Sequence, residues 1–129
     1  MKAEKSDRFY CADFTRDGAL VAAGNYFETL VFARASGERV CSLRGAGRLA
    51  FSPDGRHLAI TYNGAYRCDP RTGEPSPALE RGDEYHAHVA WMADGSHLVG
   101  VDFEGRVRFW RAADGALAEE RGAGGPNAN

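Results

Sequence analysis

Three similar segments of this chain each close on an Asp-Gly pair, Asp17-Gly18, Asp54-Gly55 and Asp94-Gly95. The first two glycines lie 37 positions apart and the second and third 40. An aromatic residue stands four places before each glycine (Phe14, Phe51, Trp91), and an apolar residue two places before that (Ala12, Leu49, Val89). Alternation at period two is the pattern of a strand with one buried face. Asp-Gly between two such runs is a hairpin signal. A second strand follows each turn, over residues 19–23, 57–62 and 97–102. A third is expected over 29–34, 65–69 and 106–111, ending at a turn closed by Gly37, Gly73 and Gly115. A fourth follows over 39–43, 77–80 and 116–120.

Four short antiparallel strands, repeated about every 40 residues, describe the blade of a β-propeller. The expected fold is therefore all-β: three four-stranded antiparallel propeller blades, an incomplete propeller within one chain. The blades occupy about residues 9–44, 45–81 and 85–121, after an N-terminal extension over 1–8 and before a flexible tail over 122–129. Sixteen glycines in 129 residues, about 12% against a usual ~7%, suit a chain with many tight turns. Pro75 and Pro77 stand just before and at the start of the fourth strand of the second unit, an outer edge where a missing N–H is tolerated. No stretch keeps the 3.6-residue period of an amphipathic helix.

Phe51-Ser52-Pro53-Asp54-Gly55-Arg56-His57-Leu58-Ala59 closely resembles the opening of bacterial WD-repeat blades, and residues 105–115, with Phe109-Trp110, resemble their third strand and turn. The resemblance covers about residues 9–121. It implies a protein-interaction scaffold and no enzymatic activity. The chain departs from the family where Trp-Asp often ends the third strand: Phe32-Ala33, Cys68-Asp69 and Trp110-Arg111 stand there. The Gly-His that often precedes the first strand is also missing, with His86 or His88 as substitutes in the third unit. The resemblance thus implies an absent or partial hydrogen-bonded tetrad.

Three blades are fewer than the four to eight of a closed ring, so the first and last sheets each keep an apolar face open. The expectation is completion by another chain, as a homodimer of six blades or with a complementing propeller fragment. A piece of a longer propeller and the product of a decayed gene are alternatives. A formal net charge of −2 gives no reason to expect nucleic acid or a membrane as partner. Three unpaired-looking cysteines (Cys11, Cys41, Cys68), with no leader-like opening, point to a reducing cytoplasm and to thiols serving as small hydrophobes.

The loops between second and third strands and the entries to the first strands share one rim in the family resembled. They supply the candidate binding residues Tyr26, Phe27, Arg48, Tyr62, His88 and Phe103, since loops on a rigid scaffold carry recognition and exposed aromatics and arginines anchor interfaces. The competing reading folds these aromatics back onto their own blades. His86-x-His88 would set two imidazoles on one face of a strand, with Asp83, Glu84 or Asp102 as a third zinc ligand; a solvated pair is preferred, and neither metal nor cofactor is expected. His57 and His97 recur two residues after their turns, which points to a structural cause. No nucleophile elbow and no phosphate loop occurs, and no catalytic residues are assigned. A small-ligand or carbohydrate-binding propeller, with sites between blades, is the alternative function.

Overall fold

A computed structural model of the chain describes residues 8–122. All but one residue of the expected N-terminal extension, and the expected tail beyond Gly122, lie outside the described residues. Every described element is a strand: β1 (Cys11–Phe14), β2 (Leu20–Gly24), β3 (Thr29–Ala33), β4 (Arg39–Leu43), β5 (Arg48–Phe51), β6 (Leu58–Thr61), β7 (Ala65–Cys68), β8 (His86–Trp91), β9 (His97–Asp102), β10 (Arg106–Arg111) and β11 (Leu117–Gly122). They form three antiparallel meanders in sequence order, β1 to β4, β5 to β7 and β8 to β11.

The Asp-Gly turns between the first and second strands of the three units share one construction. Gly18, Gly55 and Gly95 have φ of 74°, 74° and 75°, the left-handed region in which a Cβ is costly. The preceding carboxylate accepts the N–H two residues on: Asp17 from Ala19, Asp54 from Arg56 and Asp94 from Ser96, each at 2.9 Å. A hydroxyl adds a second bond at 2.7 Å, from Thr15, Ser52 and Ser96 respectively. These bonds hold all three carboxyls below the usual aspartate range. The Ala19 N–H does most at Asp17, and the Ser52 and Ser96 hydroxyls do most at Asp54 and Asp94.

The second sheet lacks the expected fourth strand. Its third strand meets the following segment at a single bridge, Cys68 with Pro75, fixed by Asp69 N–H donating to the Glu74 carbonyl (2.8 Å) and Ser76 N–H to the Arg67 carbonyl (3.0 Å). Pro75 and Pro77 bring no N–H to extend that ladder. Instead the segment turns towards the third unit. Glu80 N–H donates to the Gly115 carbonyl at 2.9 Å, and the Trp110 indole N–H donates to the Glu80 carbonyl at 2.7 Å. The Leu117 N–H donates to the Glu80 carboxylate at 2.7 Å.

Burial shows how the sheets stack. All four residues of β6 are buried, whereas β2 and β9 bury only alternate residues: Leu20, Ala22 and Gly24, then Leu98, Gly100 and Asp102. The middle sheet is therefore covered on both faces and the outer two on one. Leu58, Ile60 and Cys68 pack against Leu20, Ala22 and Val31 of the first sheet. On the other face, Ala59 and Ala65 pack with Leu79 against Leu98 and Trp110 of the third. The innermost strands β1, β5 and β8 lie side by side, and the Asp13 carboxylate accepts the Phe51 N–H at 2.8 Å. His57 stacks on Trp91 with ring centroids 6.1 Å apart, a structural role of the kind its repeated position suggested. Cys11, Cys41 and Cys68 are free thiols. Burial pushes Cys68 up to about 12.

Two glycines separate conformational from steric cost. A Cβ at Gly18 would touch nothing within 4 Å, and one at Gly45 would overlap the Tyr26 carbonyl. Gly18→Ala should lower the unfolding free energy by about 1 kcal/mol through φ alone. Gly45→Ala should lower it by several times that, because backbone must move. Urea denaturation of the two variants checks both the sizes and their order.

Candidate functional site

The turns from second to third strand and the entries to first strands converge at one end of the stacked sheets, around a cavity of about 350 Å³. Asn25 shapes the first of these turns: its side-chain carbonyl accepts the N–H groups of Phe27 (2.8 Å) and Glu28 (3.0 Å). In the second turn Asn63 takes a positive φ of 59°, and in the third the Asp102 carboxylate accepts the Glu104 and Arg106 N–H groups at 2.9 and 2.8 Å. Each device throws an aromatic outward. Tyr26 is 60% exposed and Phe103 71%, so these rings do not fold back onto their blades.

Five of the six expected residues, Tyr26, Arg48, Tyr62, His88 and Phe103, line this cavity; Phe27, though exposed, does not. The aromatics form two groups. Tyr26 lies between Tyr10 and Tyr62, at 5.1 and 6.5 Å, and Tyr85 meets Phe103 edge-on at 4.9 Å. Arg48 stands between the groups, its Nε donating to His88 Nδ1 at 3.3 Å and an Nη to the Gly47 carbonyl at 3.0 Å. Accepting at Nδ1 leaves the His88 proton on Nε2. The lining holds an arginine, two histidines and no carboxylate. Tyr85, Thr61 and Asn63 also line it without having been foreseen. Tyr85 had a legible signal, an aromatic directly before a first strand, at the level of the expected Arg48 and His88.

His86 and His88 do not share a face. A bulge at Ala87 pairs His86 with Asp102 and His88 with Val101, so His86 is buried and His88 exposed. One extra residue in a strand reverses the direction of every side chain beyond it. No cluster of metal-ligating side chains occurs among the described residues.

Behind the cavity His86 meets the fully buried Arg108. The Arg108 guanidinium donates to Glu120 (2.6 Å), to Glu84 (2.9 Å) and to His86 Nε2 (3.1 Å), with the Asp102 carboxylate 3.8 Å away. His86 Nδ1 lies 2.6 Å from the Glu84 carbonyl, so the neutral ring donates there and accepts from Arg108. Burial lowers the His86 pKa below the ordinary imidazole value and the Arg108 charge lowers it further, against the Glu84 carbonyl bond. Burial pushes Asp102 up, but the Arg106 N–H and the Arg106 and Arg108 guanidiniums outweigh it and hold the carboxyl low. This cluster occupies the place where the resemblance implied an absent or partial tetrad.

No family model matches the chain, and no curated protein does. Solved structures do. The chain superposes on a structure of U3-55K with a TM-score of 0.76 at 15% identity, covering 88% of this chain and 38% of that one. A crystal structure of RRP9 WD40 repeats gives 0.77 at 14%, over 87% and 38%. A chain of a mitotic checkpoint complex gives 0.76 at 16%, over 93% and 38%. The chain has the fold of WD-repeat β-propeller blades, and it spans well under half the length of the propeller structures it matches.

Arg108→Ala removes the buried guanidinium that joins Glu84, Glu120 and His86, leaving Glu84 and Glu120 to Arg81 and Asp102 to Arg106, and should cost roughly 3 kcal/mol of stability. The His86 shift has its own signature. Unfolded, His86 takes up a proton near pH 6.5; folded, it resists until lower pH, so stability falls as the pH drops below about 6.5. Thermal unfolding between about pH 7 and pH 5 should show that decline, and His86→Gln should flatten it.

Proposed function

We propose that this chain is a non-enzymatic protein-interaction scaffold whose rim cavity receives a partner segment carrying an acidic group flanked by apolar side chains. One observation carries the reading: four exposed aromatic rings (Tyr26, Tyr62, Tyr85, Phe103), with Tyr10 packed against Tyr26, are gathered with Arg48 and His88 around a cavity without a carboxylate. The charge of that lining is opposite in sign to the chain's net −2. Rigid aromatics supply contact area at small entropic cost, and a guanidinium supplies bidentate recognition of a carboxylate. The superposed WD40 structures support a scaffold in general, one of them being taken from a checkpoint complex. In the same reading the ring begun by the three sheets is completed by further blades.

A small anionic ligand is the second reading, favoured by a cavity volume of about 350 Å³, within the range of small-molecule sites. A peptide array scored for binding separates the two. Scaffold function predicts enrichment of acidic residues next to aromatic or aliphatic ones. Arg48→Ala should lower affinity for the best peptide about tenfold, the size of a lost charge-assisted contact, with the thermal midpoint unchanged. Binding that ignores peptide acidity, or a thermal-shift screen that finds only metabolites or glycans, would sink the peptide reading.

A further inference from the structure

Arg48 and His88 come from different sheets, at β5 and β8, and meet in the lining of the rim cavity. Their contact decides which edge of the guanidinium is open to a partner. Arg48 Nε donates to His88 Nδ1 at 3.3 Å, while Nη1 donates to the Gly47 carbonyl at 3.0 Å. A carboxylate takes two parallel bonds from a guanidinium, and along the Nε/Nη2 edge one of the two donors is already given to the imidazole. That hold depends on charge. Nδ1 accepts only while the ring is neutral; on protonation it becomes a donor. A proton on His88 therefore frees Nε and sets a second cationic donor beside it.

The surroundings of His88 supply no anion to balance that state. Strand β8 touches β5, β6 and β9. Arg48 is the titratable side chain of β5, and β6 has none. Strand β9 carries His97 and Asp102. His97 stands at the opposite end, where its carbonyl accepts the Met92 N–H at 2.9 Å, and the Asp102 carboxylate is taken by Arg106 at 3.0 Å. On the segment of His88 itself, Tyr85 and His86 line the cavity, and His86 is held neutral between Arg108 and the Glu84 carbonyl. The remaining titratable groups of the lining are the phenols of Tyr26 and Tyr62. An arriving carboxylate brings the charge that the lining lacks.

We propose that capture of a partner's carboxylate at the rim is linked to uptake of one proton by His88: the carboxylate displaces the imidazole from Arg48 Nε, takes the Nε/Nη2 edge, and accepts the new Nδ1–H of His88. The proton comes from the buffer. Because the complex holds one proton more than its free parts, affinity rises as the pH falls, by at most about tenfold per pH unit for a single linked proton. The inference rests on reading the rim as the site of an acidic segment, and it names how that site is regulated. His88 is in this account both a contact and the residue that positions Arg48 while the cavity is empty.

Titration calorimetry on the full chain tests it. The probe is a peptide with one glutamate between leucines, blocked at both ends, whose carboxylate stays ionised above about pH 6. Measurements at about pH 8 and about pH 6 span the range in which an imidazole changes charge. Wild type should bind several-fold tighter at the lower pH, and its heat should change between buffers of different ionisation enthalpy in the sense of proton uptake. His88→Gln keeps an acceptor for the Arg48 Nε–H and has no proton to gain. It should bind as wild type does at the higher pH and gain nothing at the lower. His86 is present in both proteins, so its titration cancels from the comparison. Three results overturn the proposal: wild-type affinity that ignores pH, binding without proton uptake, or a gain at low pH that survives in His88→Gln. In each of these the peptide still binds, and the rim reading stands. A peptide that binds at neither pH defeats both. The buffer dependence of the wild-type heat decides the matter even if the variant fails to fold.

Discussion

Alternate residues of a strand point to opposite faces of its sheet, so a sheet stacked between two others has to be apolar on both. That constraint governs this molecule. Leu58 and Ile60 of β6 serve the contact with the first sheet while Ala59 serves the contact with the third. The two sides differ in bulk. Leu58, Ile60 and Cys68 interdigitate with the smaller Ala22 and with Leu20 and Val31 on one side. On the other, Ala59 and Ala65 leave room for the Trp110 indole, the largest fully buried side chain. Trimming Trp110 would open a large void there, whereas a methyl added at Ala59 would collide with packed neighbours.

The third sheet depends on a second, polar constraint. Arg108 is wholly removed from water, and a buried guanidinium is tolerable only with its charge and its N–H groups matched. Glu84 and Glu120 supply charge from half-exposed positions, and His86 supplies a neutral acceptor. This ties the segment before β8 to the last strand, β11, across the full width of the sheet. Arg67 makes the corresponding tie between sheets, donating to the Ala112 carbonyl at 2.6 Å. The rim cavity lies directly over the His86 end of the cluster, so its floor is set by the best-anchored part of the third sheet.

What the sequence disclosed followed from chemistry local to a few residues. Asp-Gly needs only its own carboxylate and its own φ, so all three hairpins could be read from the chain, and with them the alternation that orients every strand. The missing fourth strand of the second sheet was not readable in this way. Residues 77–80 read as a strand only from their place in the repeat, since Pro77, Ala78 and Glu80 are poor strand formers; the bonds of Glu80 go to Trp110, Gly115 and Leu117 of the next unit, and no local pattern reports a distant partner. The bulge at Ala87 was hidden for a similar reason. A single inserted residue keeps the apolar pattern of β8 intact while reversing His86. At the rim, loop position alone picked out Tyr26, Arg48, Tyr62, His88 and Phe103. Their convergence on one cavity depends on how the three sheets stack.

Covered on both faces, the middle sheet is the most stable of the three described sheets although it has the fewest strands. Native-state hydrogen exchange tests this most directly, because protection reports the free energy of local opening. The backbone amides of β6 that bond to its neighbouring strands should exchange slowest of all, and those of β4 and β11, the outer strands of singly covered sheets, markedly faster. Amides of β6 that exchange as fast as those of β4 would contradict the account, since a sheet covered on both faces cannot open without separating from both neighbours.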